Sequence, residues 1–301
     1  MLDYIIISLA TVCFAGQFAF TKLYEKAVKQ TAVTSLVMLV ETSLIGAVLF
    51  LFVGGFKINL TPLSLIYAAS FAIIMIPYYM LGIKVLSLGS LAVYSMFMML
   101  GGMLVPFFYG VWFLSEPLSV AKIVGTVLLS GFIVLQSLSQ GQNEKSAKNK
   151  NAVLFIALCI LIFFINGATG VIAKAHQLSQ NPIDEISFTV ISCALTALFS
   201  ALMLPFVCLK GNKNARAEIF SSLKTKPLIA MSLIGAAAYV GNFLHLKAAS
   251  AVPASVQFPL VSGGVIVLSA LISAFIFREK LSKKEWLAVM GVCASTVLFA
   301  F

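Results

Sequence analysis

Long runs of apolar residues follow one another along this chain, and each is long enough to cross a lipid bilayer as an α-helix. Such a helix needs about 20 apolar residues to span about 30 Å of hydrocarbon. The runs are continuously apolar rather than alternating, which argues against a transmembrane β-barrel. We predict ten transmembrane helices, at residues 4–21, 33–53, 62–83, 90–114, 120–138, 152–173, 183–209, 227–246, 252–277 and 285–301.

Composition agrees with a location in the lipid bilayer. The chain is 61% hydrophobic and 10% charged, whereas soluble domains are about 25% charged. A net charge of +10 would suggest nucleic acid as a partner of a soluble protein. Here the basic residues lie at the ends of the apolar runs, so we predict no nucleic-acid partner. Two histidines and five cysteines without a CxxC pair also lead us to expect no metal and no cofactor.

One segment of the chain occurs twice. Residues 84–119 and 247–282 align without a gap at an offset of 163, and both copies end in Glu-x-Leu-Ser. The alignment pairs Lys84 with Lys247, Gly101 with Gly264, and Glu116 with Glu279. Earlier in the chain, Lys22 matches Lys174 at an offset of 152. An internal repeat in an apolar chain indicates a duplicated transporter.

A short polar segment divides the chain. Residues 141–151 read GQNEKSAKNKN, a composition that predicts a linker without a core of its own. The linker separates a first repeat, 1–140, from a second, 152–301, with five predicted helices in each. Because five is odd, the second repeat would enter the membrane upside down. The sequence therefore predicts an all-α integral membrane protein built from two inverted five-helix repeats.

The distribution of lysine and arginine predicts an orientation. The connections after the odd-numbered predicted helices hold 16 of the 20 basic residues. Cytoplasmic connections of membrane proteins are enriched in lysine and arginine. We therefore predict a multi-pass protein of the plasma or inner membrane, with those connections in the cytoplasm and both termini outside.

The repeated segment and the helix count resemble the drug/metabolite transporter superfamily, specifically its ten-helix EamA-like branch. Residues 246–299 also resemble the last two helices of the small multidrug resistance proteins. The SG-x-G motif that packs their penultimate helix corresponds here to Ser262-Gly263-Gly264-Val265. The resemblance implies transport of a small organic solute, since the superfamily moves amino acids, drugs, sugars, nucleotide sugars and phosphorylated compounds. It covers nearly the whole chain and does not define the substrate.

This sequence departs from the small multidrug resistance proteins at one functional position. Those proteins carry a membrane-embedded glutamate eight residues before the lysine that ends their first helix. The same register falls on Phe14 in the first repeat and on Asn166 in the second. Exchange of protons against cationic drugs is therefore not implied here, and we predict instead that both positions contact the solute.

Glu41 lies near the middle of the second apolar run. An ionisable side chain at that depth costs about 2.5–3.5 kcal/mol on insertion scales, so it is expected to face a cavity or a partner. We predict that Glu41 couples transport to protons. The alternative is a structural glutamate that accepts a hydrogen bond from Ser or Thr of a neighbouring helix.

Amide and aromatic residues are the further candidates for solute contact. Asn166 precedes Gly167 and Gly170, which allow close approach of a neighbouring helix or a ligand. The family resemblance implies that helices one, three, four, six, eight and nine line the substrate path. The other candidates on these helices are Gln17, Tyr78, Tyr79, Tyr94, Tyr239, Asn242 and Gln257. Such side chains suit a neutral or zwitterionic solute, although any one of them can equally pack or face lipid.

Four lysines end predicted helices: Lys22, Lys84, Lys174 and Lys247. Lysines at such positions extend to the interface and neutralise the carbonyl groups of a helix C-terminus. The alternative is that they bind a carboxylate or phosphate of the solute.

The sequence predicts a secondary transporter that works by alternating access, with export implied by the resemblance. No GxxxxGK[ST] loop is present to couple transport to ATP. An exchanger or importer of an anionic metabolite and a pore or scramblase are the alternatives, and clustered catalytic motifs of a membrane enzyme are absent. Two fused repeats can form a whole pathway, so a monomer suffices and a dimer stays open.

Overall fold

The computed structural model describes residues 2–88, 91–141, 152–209, 214–278 and 281–300. These residues form α-helices and contain no strand. The helices are α1 (Leu2–Ala27), α2 (Ala32–Val53), α3 (Pro62–Leu88), α4 (Leu91–Phe113), α5 (Val120–Gly141), α6 (Ala152–Gln177), α7 (Glu185–Leu209), α8 (Ala215–Ser222), α9 (Thr225–Ala249), α10 (Ala254–Phe275) and α11 (Lys283–Val297).

Nine helices in the described part of the chain are long and apolar enough to cross a membrane: α1 to α7, α9 and α10. This is the pattern of a helical, multi-pass membrane protein. The tenth predicted span, 285–301, overlaps α11, whose 15 residues are fewer than the number that a spanning helix needs. A short 3₁₀ turn, Leu298–Ala300, follows it.

The helix α8 is absent from the sequence prediction, because it lies inside the polar connection after α7. Its contacts with α1 and with the connection that follows α1 hold it in place. The hydroxyl of Thr31 donates to Glu218 Oε2 at 2.8 Å, and the Tyr24 hydroxyl donates to Ser222 Oγ at 3.3 Å. An eight-residue helix is marginal alone, so these long-range contacts decide its formation.

Small residues allow the predicted close packing of α10. A Cβ added at Gly263 would collide with Thr296, and one at Gly264 would lie 2.6 Å from Thr11 Cγ2. The SG-x-G motif therefore packs α10 against α11 and α1. At the start of α11, Ser282 and Glu285 form the reciprocal hydrogen bonds of a capping box, in which each side chain accepts from a backbone N–H of the other residue.

The two halves of the chain pack against each other throughout. Helix α1 lies along α9, α4 along α6, α2 along α7, and α5 along α11. Helix α10 contacts α1, α4 and α11. Residues that are far apart in sequence therefore meet around the centre of the molecule.

Candidate functional site

A central cavity of about 720 Å³ lies among α1, α3, α4, α6, α9 and α10, with the start of α2 at its edge. Glu25 and Gln30, next to the α1–α2 connection, line one end, and Glu25 is exposed. Among the described residues, none from the connections at the other end (54–61, 114–119, 178–184 and 250–253) lines the cavity. The central cavity therefore reaches the exposed α1–α2 face, which we call the open face, and stops short of the connections at the opposite face, which we call the closed face.

Seven of the predicted solute-contact residues line this cavity. They are Phe14, Gln17, Tyr78, Tyr79, Tyr94, Asn166 and Asn242. They come from both halves of the chain, so the cavity wall is complete only when the halves pack together. Two of the predicted residues, Tyr239 and Gln257, do not line it.

The side chain of Asn166 is held by α4. Its Nδ2 donates to the carbonyl oxygen of Met98 at 2.7 Å. A Cβ added at Gly102 would lie 2.6 Å from the same nitrogen, so this glycine makes room for the amide. One N–H of the amide is thus committed to α4, which leaves the second N–H and the Oδ1 acceptor for another partner.

Glycines bring the α4 and α6 backbones into contact beside Asn166. A Cβ added at Gly167 would lie 2.6 Å from the carbonyl oxygen of Gly101, and one at Gly101 would collide with the backbone of Phe163. A Cβ at Gly170 would lie 2.5 Å from the ring of Phe258 on α10. Close approach at Gly167 and Gly170 was predicted, and here it serves helix packing next to the cavity.

Aromatic rings form much of the remaining cavity wall. The rings of Tyr78 and Tyr79 meet edge to face with centroids 5.4 Å apart. A Cβ at Gly82 would lie 2.8 Å from the Tyr94 hydroxyl, so Tyr94 lies over a glycine of α3. Aromatic rings that line a cavity in this way can contact a bound solute through a ring face or through a hydroxyl group.

His245 joins the cavity wall, although the sequence did not single it out as a contact residue. Its ring lies 6.2 Å from that of Phe14 and 4.8 Å from that of Phe258, both edge to face. In the described part of the protein, its Nε2 is buried without a hydrogen-bond partner. A buried polar nitrogen of this kind can bind a group of the solute.

Gln257 lies behind the cavity wall. It is fully buried, and its Nε2 donates to the carbonyl oxygen of His245 at 2.6 Å. Tyr94 and Gln257 are mates in the repeat, at the offset of 163, yet only Tyr94 lines the central cavity. The amide instead fixes the end of α9 against α10.

Tyr239 is also outside the central cavity. Its hydroxyl shares a 2.8 Å hydrogen bond with Ser43 Oγ, which connects α9 to α2. With Asn242 and His245 it borders a separate space of about 30 Å³, the size of one water molecule. This space is too small for a metabolite.

Glu41 lies where α2 packs against α9. Ser232 Oγ donates to its Oε1 at 3.0 Å, whereas Oε2 is buried and has no partner among the described residues. Glu41 does not line the central cavity. This arrangement agrees with the alternative interpretation, a structural glutamate that accepts a hydrogen bond from a neighbouring helix. The buried second oxygen still provides a site where a proton can bind.

The four helix-end lysines occupy three different environments. Lys84 and Lys247 are exposed. Lys22 lines the central cavity, with its Nζ 3.5 Å from Ser273 Oγ and 4.8 Å from the ring centroid of Phe277. Lys174 is only 3% exposed. It donates to the carbonyl oxygens of Ala249 and Val252 at the turn between α9 and α10.

Glu116 binds the other side of the same turn. Its two carboxylate oxygens accept hydrogen bonds from the backbone N–H groups of Ala254, at 2.6 Å, and Ser255, at 2.8 Å. Both residues belong to the first turn of α10, where unpaired N–H groups favour a negative charge. The repeat mate Glu279 lies outside the described residues. Lys174 and Glu116 together form what we call the α9–α10 clamp, and it lies at the closed face.

Glu25 is a cavity residue that sequence reasoning missed. It lies three residues after Lys22, a spacing that places both side chains on one face of α1, and the two charges attract each other. The spacing was visible in the sequence. What it did not reveal is that this face of α1 borders the cavity mouth.

The fold has a counterpart among solved structures. One crystal structure, described only as that of a protein, superposes with a TM-score of 0.71. The superposition covers 98% of this chain and 95% of the chain in that structure. The two sequences are 13% identical, so the likeness shows a shared fold and nothing further. No protein-family model and no curated protein match the chain.

Proposed function

We propose that this protein is a secondary transporter of a small organic solute, belonging to the drug/metabolite transporter superfamily and its EamA-like branch. The observation that carries the proposal is the central cavity, which is polar and aromatic, lies within apolar helices, and opens at one face only. Its volume of about 720 Å³ is within the range of small-molecule sites. A carrier that works by alternating access needs such a one-sided cavity in each of its end states.

The proposed architecture is an inverted repeat of two times five helices, with α11 as the tenth. The packing pattern supports this proposal, because the contacts occur in matched pairs. Packing of α1 on α9 is matched by packing of α6 on α3, and packing of α10 on α1 by packing of α4 on α6. The helices α2, α4 and α5 each contact their own proposed mates, α7, α10 and α11.

The proposed solute is neutral or zwitterionic and partly apolar. The cavity lining combines four amides (Gln17, Gln30, Asn166 and Asn242) with tyrosines and phenylalanines. The charged residues Lys22 and Glu25 carry opposite signs and lie near the mouth. A lining of this kind recognises hydrogen-bonding groups and an apolar body without favouring net charge.

A second candidate is an anionic or phosphorylated solute held by helix-end lysines. The position of Lys22 in the cavity lining favours it. Of the other three lysines, however, Lys174 binds backbone carbonyls, and Lys84 and Lys247 are exposed outside the cavity. An open pore or scramblase is less well supported, because the closed face interrupts a continuous path.

The proposed location is the plasma or inner membrane, with both termini outside. In this orientation the open mouth, next to the α1–α2 connection, faces the cytoplasm. Solute would enter there and leave at the α9–α10 clamp, in agreement with export. Both halves of one chain line the cavity, so a monomer suffices for transport.

Thermal unfolding of the purified protein with a panel of solutes tests the proposed site. A ligand that binds only the folded state raises the unfolding midpoint. The panel comprises neutral amino acids, nucleobases, polyamines, quaternary amines and sugar phosphates. We expect a neutral or zwitterionic compound to stabilise the wild type and not the variant Tyr94→Ala, with Ser130→Ala on α5 as the control that keeps the effect. Stabilisation by sugar phosphates alone would favour the second candidate.

A further inference from the structure

Lys22, near the end of α1, and Lys174, in the last turn of α6, are mates in the repeat but have unlike surroundings. Lys174 is buried at the closed face, where its ammonium group donates to the carbonyl oxygen of Val252 at 2.6 Å and to that of Ala249. Lys22 is half-buried and lines the open mouth of the central cavity. One lysine of the pair is therefore at a closed face and the other at an open one.

The α9–α10 clamp joins three separate parts of the chain: α6, the connection before α5, and the turn between α9 and α10. Lys174 ends α6 and holds the end of α9, while Glu116, from the connection before α5, holds the first turn of α10. Hydrogen bonds from a buried charge to backbone groups are stronger than neutral ones. Separation of these parts at the closed face requires that the clamp break.

The repeat identifies the residues that would make the equivalent of the Lys174 contact at the open face. The offset of 163 pairs Ala249, whose carbonyl oxygen Lys174 binds, with Leu86 near the end of α3. The offset of 152 pairs Lys174 with Lys22. Helix α3 contributes Tyr78, Tyr79 and Gly82 to the cavity wall, so movement of its end toward α1 would narrow the mouth.

We infer that Lys174 and Lys22 are alternate closing residues of the transport cycle. Lys174 holds the α9–α10 turn in the present state, and Lys22 binds the end of α3 when the mouth closes and the opposite face opens. This inference rests on the proposed function. A lysine that merely caps a helix would instead have the same role in every state.

Reactivity of a single introduced cysteine tests the inference without any solute. Val252 is buried, with 4% exposure, beneath the clamp, so Val252→Cys reacts with a thiol reagent only when the closed face opens. The substitution keeps the carbonyl oxygen that Lys174 binds. The experiment uses the full-length chain in detergent, with its five native cysteines replaced by alanine or serine.

The two lysine variants are expected to shift this reactivity in opposite directions. Lys174→Gln removes contacts made only in the present state, so labelling of Val252→Cys should become about tenfold faster or more. The hydrogen bonds that Lys22 would donate to backbone carbonyls in the other state are stronger than its present contacts with Ser273 and Phe277, so labelling should become slower in Lys22→Gln. Lys247→Gln, the exposed helix-end lysine, serves as the matched control and should leave the rate unchanged.

A second variant guards against loss of folding. If Lys174→Gln does not give a monodisperse protein with a thermal transition, Glu116→Gln weakens the same clamp from its other side and should also speed labelling. A shift of both lysine variants in the same direction, or no shift in either, would overturn the inference. Because the assay needs no solute, that failure would leave the transport proposal standing. If the two lysine variants shift the labelling rate in opposite directions but no solute flux is found, the proposed function alone is contradicted.

Discussion

Asn166 on α6 donates a 2.7 Å hydrogen bond to the carbonyl oxygen of Met98 on α4. The bond joins the two halves of the chain at the wall of the central cavity. It leaves the second N–H and the Oδ1 acceptor of the amide for a further partner. The same residue thus has a structural contact and a proposed solute contact that can be separated by experiment.

Replacement of Asn166 by leucine is expected to affect stability and binding unequally. Loss of an interhelical hydrogen bond in a membrane protein costs about 0.6–1.7 kcal/mol, so the unfolding free energy should fall only modestly. Solute-dependent stabilisation should disappear, because the acceptor in the cavity is lost. Unfolding titrations with and without the stabilising solute measure both effects.

Thr126→Val on α5 is the matched control for this experiment. Its hydroxyl donates to the backbone carbonyl of Lys122 at 2.8 Å within the same helix, and Thr126 does not line the central cavity. Unchanged solute stabilisation in Asn166→Leu would remove Asn166 from the proposed site.

The close contact of α4 and α6 predicts that substitution of Gly167 by any larger residue lowers stability. A Cβ there would lie 2.6 Å from both the Gly101 carbonyl oxygen and Val105 Cγ2, and overpacking of this kind costs about 1–3 kcal/mol. At Gly131 on α5 a Cβ meets nothing within 4 Å. Thermal unfolding should show a lower midpoint for Gly167→Ala and an unchanged or higher one for Gly131→Ala, where alanine favours the helix. Equal midpoints would contradict the packing.

The N-terminus of α7 predicts a pH-dependent contribution from Asp184. Partial burial would raise the pKa of this carboxyl, but hydrogen bonds from the Ser187 N–H and hydroxyl and from the Asn59 amide, each 2.8 Å, hold it below its usual range. A lowered folded-state pKa means that the contribution is complete above the unfolded-state pKa of about 3.9 and is lost as the pH falls through the folded-state value.

Asp184→Ala is therefore expected to lower stability at neutral pH by about 0.5–2 kcal/mol, the usual cost of removing an N-cap. The difference from the wild type should stay constant between pH 5 and pH 8 and shrink below about pH 4. Chemical unfolding across this range measures it. A difference that instead grows as the pH falls would contradict the assigned hydrogen bonds.

Glu41→Gln tests whether transport is coupled to protons. Glutamine keeps an acceptor for the Ser232 hydroxyl but cannot bind or release a proton. We expect folding to be retained and the pH-driven component of solute flux in vesicles to be lost. Ser232→Ala, which leaves the carboxyl group in place, should keep that component. Full pH-driven flux in Glu41→Gln would show that the glutamate is structural.

The long helices could be predicted from the sequence because their signal is local. An unbroken apolar run both forms a helix and requires burial or lipid, so nine predicted spans correspond to helices of sufficient length. The capping box at Ser282 and Glu285 was predictable for the same reason. The helix α8 was not, since the distant residues Thr31 and Tyr24 hold it in place.

The cavity lining was only partly predictable, because depth and direction depend on how distant helices pack. Repeat position suggested equal places for Tyr94 and Gln257, yet one lines the cavity and the other binds the carbonyl oxygen of His245. Lys22 and Lys174 likewise have different surroundings, because Lys22 lines the cavity near the open face and Lys174 is buried at the closed face. A sequence repeat describes both halves alike, whereas a single state of the molecule need not be symmetric.

Counterflow in proteoliposomes tests the central claim, that this protein is a carrier with one cavity open to one side at a time. The vesicles are preloaded with the unlabelled form of the compound that stabilises the protein best, and entry of the labelled form is followed. A carrier should show uptake that saturates with concentration and rises when unlabelled solute is inside. Uptake that stays linear in concentration and ignores the internal solute would contradict the account, since that is the behaviour of a pore.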